Sequence, residues 1–306
     1  MQLLEELAQK RQNKPLNLIL STDWYTDCDD VAALCLLCEA HKARAAELKA
    51  VCADTVMPYT AASIDAVLTE RGCSGIPLGI DSAAVRPYER CSYQKGLAAH
   101  PHSRENADCP DAVTLLGKTL GALDGRAEII SIGFPSVIAN LLKSRADDIS
   151  PLDGKTLFKE KIDKIYVMGG KWDIPVGSEH NFALDREAAE AAAYLCEHSP
   201  VPLVFLGHEV GDTVITGGES SKGILGEAMA LHGSHRGRCS WDPMTALLAV
   251  VNDIEAAGYT AVRGRAEVDP VTGENRFFES ENGNHCFVCK AKPDEYYSQL
   301  INSIVM

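Results

Sequence analysis

Residues 16 to 30 read Leu16-Asn-Leu-Ile-Leu-Ser-Thr-Asp-Trp-Tyr-Thr-Asp-Cys-Asp-Asp30. The run Leu16 to Leu20 has the length and texture of a strand buried in a parallel sheet, and Val31 to Glu39 carries apolar residues at helical spacing. Asp23, Asp27, Asp29 and Asp30 therefore fall in a strand-to-helix turn. In open α/β sheets that turn lies at the carboxyl edge of the strands, where ligands bind. Four like charges within eight residues raise one another's pKa unless a cation neutralises them. All four are hard oxygen donors, so the implied ion is calcium or magnesium. An acidic helix start that complements the helix dipole explains one or two such residues. It does not explain four directly behind a buried strand.

The alternation continues outward from this segment. Apolar runs at Leu48–Ala53, Ala127–Ile132, Lys164–Met168 and Pro202–Leu206 are separated by helical patterns at Ala61–Arg71, Ala112–Leu123, Val137–Lys143 and Arg186–Cys196. Further helices fit Lys222–His232 and Pro243–Asn252. This order predicts an α/β fold, a mostly parallel central sheet with helices on both faces. After Ala256 the texture changes to strands at Val262–Asp269, Arg276–Glu279 and Cys286–Lys290, with turns at Thr272-Gly273 and Asn282-Gly283. With a closing helix at Pro293–Ile304, this tail reads as a small antiparallel C-terminal extension of the same sheet. The chain is accordingly expected to form a single domain over residues 1–306.

A net charge of −14 disfavours nucleic acid and anionic membranes as partners and suits a site that gathers cations. Met1 to Lys14 lacks the apolar core of a secretory signal, and no apolar stretch approaches the length of a membrane span. The eleven cysteines are odd in number and scattered among apolar neighbours, as buried thiols of a reducing, cytoplasmic compartment would be. Cys35 with Cys38, and Cys286 with Cys289 beside His285, have half the spacing of a zinc site but not the loop context of a zinc knuckle.

Three further segments place polar residues behind strands. Ile132 leads into Gly133-Phe-Pro-Ser136, Met168 leads into Gly169-Gly170 and then Glu179-His-Asn181, and Trp241-Asp-Pro243 opens a helix. Singly, these read as turn chemistry, a solvated acid and an N-cap. Together they line up acids along one sheet edge. The three tryptophans, Trp24, Trp172 and Trp241, each fall in or beside these segments. Carboxylates at one end and indoles at the other suit a ligand made of a sugar and a planar base.

Ser21-Thr-Asp-Trp-Tyr-Thr-Asp-Cys-Asp-Asp-Val-Ala-Ala-Leu34 resembles the amino-terminal Asp-rich motif of the inosine–uridine-preferring nucleoside hydrolase family. Tyr166-Val-Met-Gly-Gly170, Glu179-His-Asn-Phe-Ala-Leu-Asp185, Ser240-Trp-Asp-Pro-Met244 and Gly133-Phe-Pro-Ser136 resemble its other blocks, and all occur in family order over residues 16 to about 250. The resemblance implies a calcium ion held by Asp23, Asp30, Asp242 and the main-chain carbonyl of Ser136. It implies Asp29 as the general base that takes a proton from water, Glu179 and Asn181 on ribose hydroxyls, and Met168 against the sugar. The reaction so implied is hydrolysis of a nucleoside to free base and ribose, as in purine salvage, by a homo-oligomer (dimer or tetramer). Such cleavage passes through an oxocarbenium-like state that carboxylates stabilise.

The chain departs from the family pattern in four places, one of them the short loop between Gly170 and Glu179, where the family makes its usual hydroxymethyl contacts. The first motif is two residues longer than the common form, which leaves Asp27 as an additional carboxylate and either Asp23 or Asp27 as the metal ligand. The family's sugar-contacting Asn after the second strand has no counterpart in Ala53-Asp-Thr-Val-Met57. Pyrimidine-accepting members carry His where this chain has Trp241, so a purine is the expected base, with Trp241 on one face and Trp24 or Trp172 on the other. His180, placed with the substrate contacts, and His208 are the candidate acids for the leaving base. Two rivals stand beside this reading. One is a nucleoside- or ribose-binding protein that keeps the metal without turnover. The other, a phosphotransferase, requires an acid where Tyr25 stands.

Overall fold

The computed structural model describes residues 1–12, 14–86, 93–146 and 150–306. Nine strands form one sheet: β1 Leu16–Thr22, β2 Ala46–Ala53, β3 Leu78–Ile80, β4 Ala127–Ser131, β5 Ile162–Met168, β6 Leu203–Leu206, β7 Tyr259–Val268, β8 Asn275–Glu279 and β9 His285–Lys290. Their order across the sheet is β8-β7-β9-β6-β5-β4-β1-β2-β3. All neighbours from β9 to β3 run parallel, while β7 pairs antiparallel with both β9 and β8. The C-terminal segment is thus an antiparallel extension of the main sheet, as its alternating pattern and turns predict.

Helices cover both faces because β1, β2 and β4–β6 are apolar on both sides. On one face pack α1 Gln2–Lys10, α2 Asp29–Lys42, α3 Thr60–Glu70, α8 Gly223–His232, α9 Trp241–Val251 and α10 Asp294–Val305. On the other pack α4 Ala112–Ala122, α5 Ser136–Lys143, α6 Gly154–Lys161 and α7 Arg186–His198. Helix α2 is buried from Asp29 to Ala40, held among β2, α3, α9 and α10. It starts at Asp29, two residues before the apolar periodicity, because acids in a first helical turn complement its dipole. Helices α1 and α6 and strand β3 are not evident from apolar pattern alone: β3 spans only three residues, and α1 buries only Leu4, Leu7 and Ala8.

The chain builds β1 to β3 in one direction and β4 to β6 in the other, so β1 and β4 flank a topological switch point. The loops leaving these two strands touch there. A Cβ on Gly133 would stand 2.1 Å from the Asp23 amide nitrogen, so only glycine permits the approach. We expect Gly133→Ala to destabilise the fold by about 1–3 kcal/mol, the usual cost of overpacking. Gly121→Ala in α4, where an added Cβ meets nothing within 4 Å, should be neutral or stabilising. Urea denaturation of both variants checks this, and a Gly133→Ala protein as stable as the parent would contradict the contact.

Candidate active site

A cavity of about 340 Å³ opens at this switch point. Its floor is Asp23 from the β1 loop, Asp29 and Asp30 from the first turn of α2, and Asp242 from the first turn of α9. All four are buried, and oxygens of Asp29, Asp30 and Asp242 lie within 4.8 Å of one another. The backbone ties them together. Asp29 Oδ2 accepts the Asp242 amide at 3.1 Å, and Asp30 Oδ1 accepts the Trp24 amide at 3.3 Å and the Thr22 hydroxyl. Burial, followed by mutual repulsion, pushes all four well above the ordinary carboxylate range.

A further buried carboxylate stands behind this floor. Asp54, directly after β2, accepts the Ser21 hydroxyl at 3.2 Å on Oδ2, while its Oδ1 is buried without a hydrogen-bond partner. Its charge is the next largest influence on Asp23 after burial. In the sequence it shows only as a missing Asn. Its place at the carboxyl end of a strand beside β1 was the available signal.

Glu179 and Asn181 face the floor. Glu179 caps the one-turn helix His180–Ala183 and accepts the amides of Asn181 at 2.8 Å and Gly170 at 3.1 Å. Burial raises its carboxyl to about 7 despite these bonds. The Asn181 amide group donates to the carbonyls of Ile132 at 3.3 Å and Met168 at 3.2 Å, and meets the Met168 sulfur at 3.2 Å. The strand ends of β4 and β5 thus set the orientation of Asn181, and Met168 lines the cavity beneath it.

The mouth is formed by Tyr25, Thr26, Asp27, His180, His208, Arg238 and Trp241. Trp241 is anchored by its indole nitrogen on the His208 carbonyl at 2.9 Å, with the His208 ring 5.4 Å away and the Arg238 guanidinium 5.1 Å over its face.

Two expectations need correction, and two further residues take particular places. Trp24 is wholly buried and cannot wall a base site: its indole nitrogen donates to Ser63 Oγ at 2.9 Å, and its ring meets Tyr93 edge-on. A left-handed backbone at Trp24, with φ of 43°, accompanies this arrangement, and Tyr25 takes the place in the cavity, stacked on His180 at 6.4 Å. Trp172 is likewise in the core, packed on Phe205 at 4.9 Å. Ser136 begins α5, directly behind the Gly133 turn, and is not among the residues lining the cavity. Asp27 lines the same cavity as Asp23, but as the partner of Arg238. Burial alone would raise its pKa, but Arg238 grips both its oxygens at 2.5 to 3.1 Å and holds it below the usual range. Arg238 itself was not legible, because its partner is 211 residues distant.

No protein-family model and no curated protein sequence matches the chain. Solved structures do. A plant nucleoside hydrolase superposes with a TM-score of 0.71 at 14% identity, over 95% of this chain and 99% of that one. The inosine–uridine-preferring nucleoside hydrolase of Bacillus anthracis gives 0.67 at 16%, with the same coverages of 95% and 99%. The type III effector XopQ, solved with adenosine diphosphate ribose, gives 0.66 at 14%, over 100% of this chain and 98% of that one. The chain has the nucleoside hydrolase fold. No helix among the described residues is long and apolar enough to cross a membrane.

The raised Glu179 carboxyl has a stability consequence. Between 4.5, its ordinary value, and about 7, the native state keeps a proton that the unfolded state loses. Its contribution is therefore full below that window and is lost as pH rises through it. Glu179→Gln should flatten the fall in melting temperature between about pH 5 and pH 8, removing up to about 3 kcal/mol of pH dependence. Unchanged pH profiles for the two proteins would contradict the assignment.

Proposed function

We propose that the chain hydrolyses the N-glycosidic bond of a ribonucleoside, with purine nucleosides preferred, using calcium on the cavity floor. The observation that carries this reading is the meeting, in one cavity, of four buried carboxylates with the Glu179–Asn181 pair. The donor set fits the ion. Calcium binds oxygens at about 2.4 Å, so two oxygens on one ion stand at most ~4.8 Å apart. Oxygens of Asp30 and Asp242, two of the three proposed ligands, fall within that limit of one another and of Asp29.

Asp23, Asp30 and Asp242 are the proposed ligands. Bound there, calcium supplies a Lewis acid that lowers the pKa of water and grips ribose hydroxyls. Asp29 takes a proton from the water that attacks the anomeric carbon. As the new C–O bond forms, the C–N bond breaks and its electron pair leaves with the base, which is protonated in turn. The floor carboxylates offset the positive charge that develops on the sugar. Glu179 and Asn181 hold hydroxyls, Met168 packs against the sugar, and Trp241 offers its indole face to the base. A purine accepts its proton on a ring nitrogen, which removes the need for a histidine at position 241.

Incubation with a panel of nucleosides, with and without chelator, tests the reading by following free base. Chelator-sensitive release supports it. Binding of nucleoside with no release over long incubation would instead identify a binding protein of this fold. Asp29→Asn is expected to retain calcium while losing roughly two or more orders of magnitude in turnover. Near-normal turnover would move the base to another carboxylate.

Base preference supplies a second test. Inosine should exceed uridine in kcat/KM, and Trp241→Ala should lower inosine hydrolysis by about 1–3 kcal/mol of transition-state stabilisation while affecting uridine less. Equal losses on both substrates, or a uridine preference in the parent, would show that other residues form the base pocket.

A further inference from the structure

Beside the cavity mouth lies a set of donors of quite different chemistry from the floor. The Asp27 carboxylate, the Cys28 sulfur and a His232 ring nitrogen all lie within 4.8 Å of one another. The Met229 sulfur is 3.5 Å from Cys28 Sγ, and His232 Nε2 is 3.8 Å from Asp27 Oδ1. Tetrahedral donors around zinc, at ~2.0–2.3 Å from the ion, stand about 3.3–3.8 Å apart. Both measured separations fall in that range. The histidine is also oriented for ligation: its Nδ1 is engaged by Ser234 Oγ at 2.8 Å, which directs Nε2 towards Asp27. A crevice lined by Thr26, Asp27, His232, Gly233 and Arg238 gives access from solvent.

We propose that Asp27, Cys28 and His232, with the Met229 thioether, form a second metal site for a borderline-soft divalent cation of the zinc class. One carboxylate, one thiol, one imidazole and one thioether select such an ion over calcium, which prefers all-oxygen cages. On binding, the Cys28 thiol proton passes to solvent and the thiolate bonds the metal. Asp27 is shared with Arg238, so the guanidinium competes with the metal for the carboxylate, and zinc would loosen that ion pair beside Trp241. The proposal is independent of turnover: it concerns a cluster that is separate from the floor and whose ligands carry sulfur.

The test is a cobalt(II) titration of chelator-stripped protein in excess calcium, read by the near-ultraviolet thiolate-to-cobalt charge-transfer band. One cobalt per chain should give the band, and zinc should compete it away. Cys28→Ser should abolish it. Ser234→Ala, a change to a half-buried residue outside the proposed ligand set, should weaken binding about 10–100-fold while the protein remains folded. Arg238→Ala should tighten it about tenfold or more, because Asp27 no longer exchanges one charge-assisted partner for another. Cobalt binding without a thiolate band overturns the proposal. So does a band that survives Cys28→Ser, or an affinity unmoved by both Ser234→Ala and Arg238→Ala.

Discussion

Repulsion among Asp23, Asp29, Asp30 and Asp242 is the constraint on which the rest of this molecule turns. Each is buried, and each has its pKa raised by at least one of the others. A fold that spends stability on such a cluster must fix it from several directions. It does so with the Thr22 hydroxyl, the Trp24 amide and the Asp242 amide, which hold two of the carboxylates. The Gly133 contact then seats the β4 loop directly against Asp23. The switch point of the sheet is what brings these separate loops to one place.

The cavity is divided by charge. Its floor is acidic and its far wall is set by Asn181, whose amide is held by two strand-end carbonyls. At the mouth, the Asp27–Arg238 pair cancels one negative charge and leaves a guanidinium over the Trp241 ring. A ligand entering this space meets an aromatic, partly neutralised rim first and the carboxylates last. That gradient suits a molecule whose planar end stays outward and whose hydroxyl-bearing end goes to the floor.

How far this was legible in the sequence depends on the distance over which each feature is encoded. Strands β1, β2 and β4–β6 declare themselves by apolar runs, most continuous towards their carboxyl ends, where both faces are buried. The four carboxylates of residues 23–30 are local, so their density is visible at once. Asp54 and Arg238 are not, since each acquires its role from a neighbour that only the sheet or a loop pairing supplies. The tryptophans show the same limit. Adjacent residues Trp24 and Tyr25 exchange core and cavity at a backbone with φ of 43°, which no pattern of side-chain types reveals. Trp172 was drawn into the core by Phe205, Phe277 and Phe287, aromatic partners spread over distant strands.

The central claim is that the carboxylates of the floor act as one site for one hard cation. The measurement that tests it most directly is a crystal structure grown in calcium. The account predicts a single ion on the floor with oxygens of Asp23, Asp30 and Asp242 at bonding distance, ~2.3–2.6 Å. Calcium bound elsewhere, or a floor whose carboxylates hold no ion at saturating calcium, would contradict it.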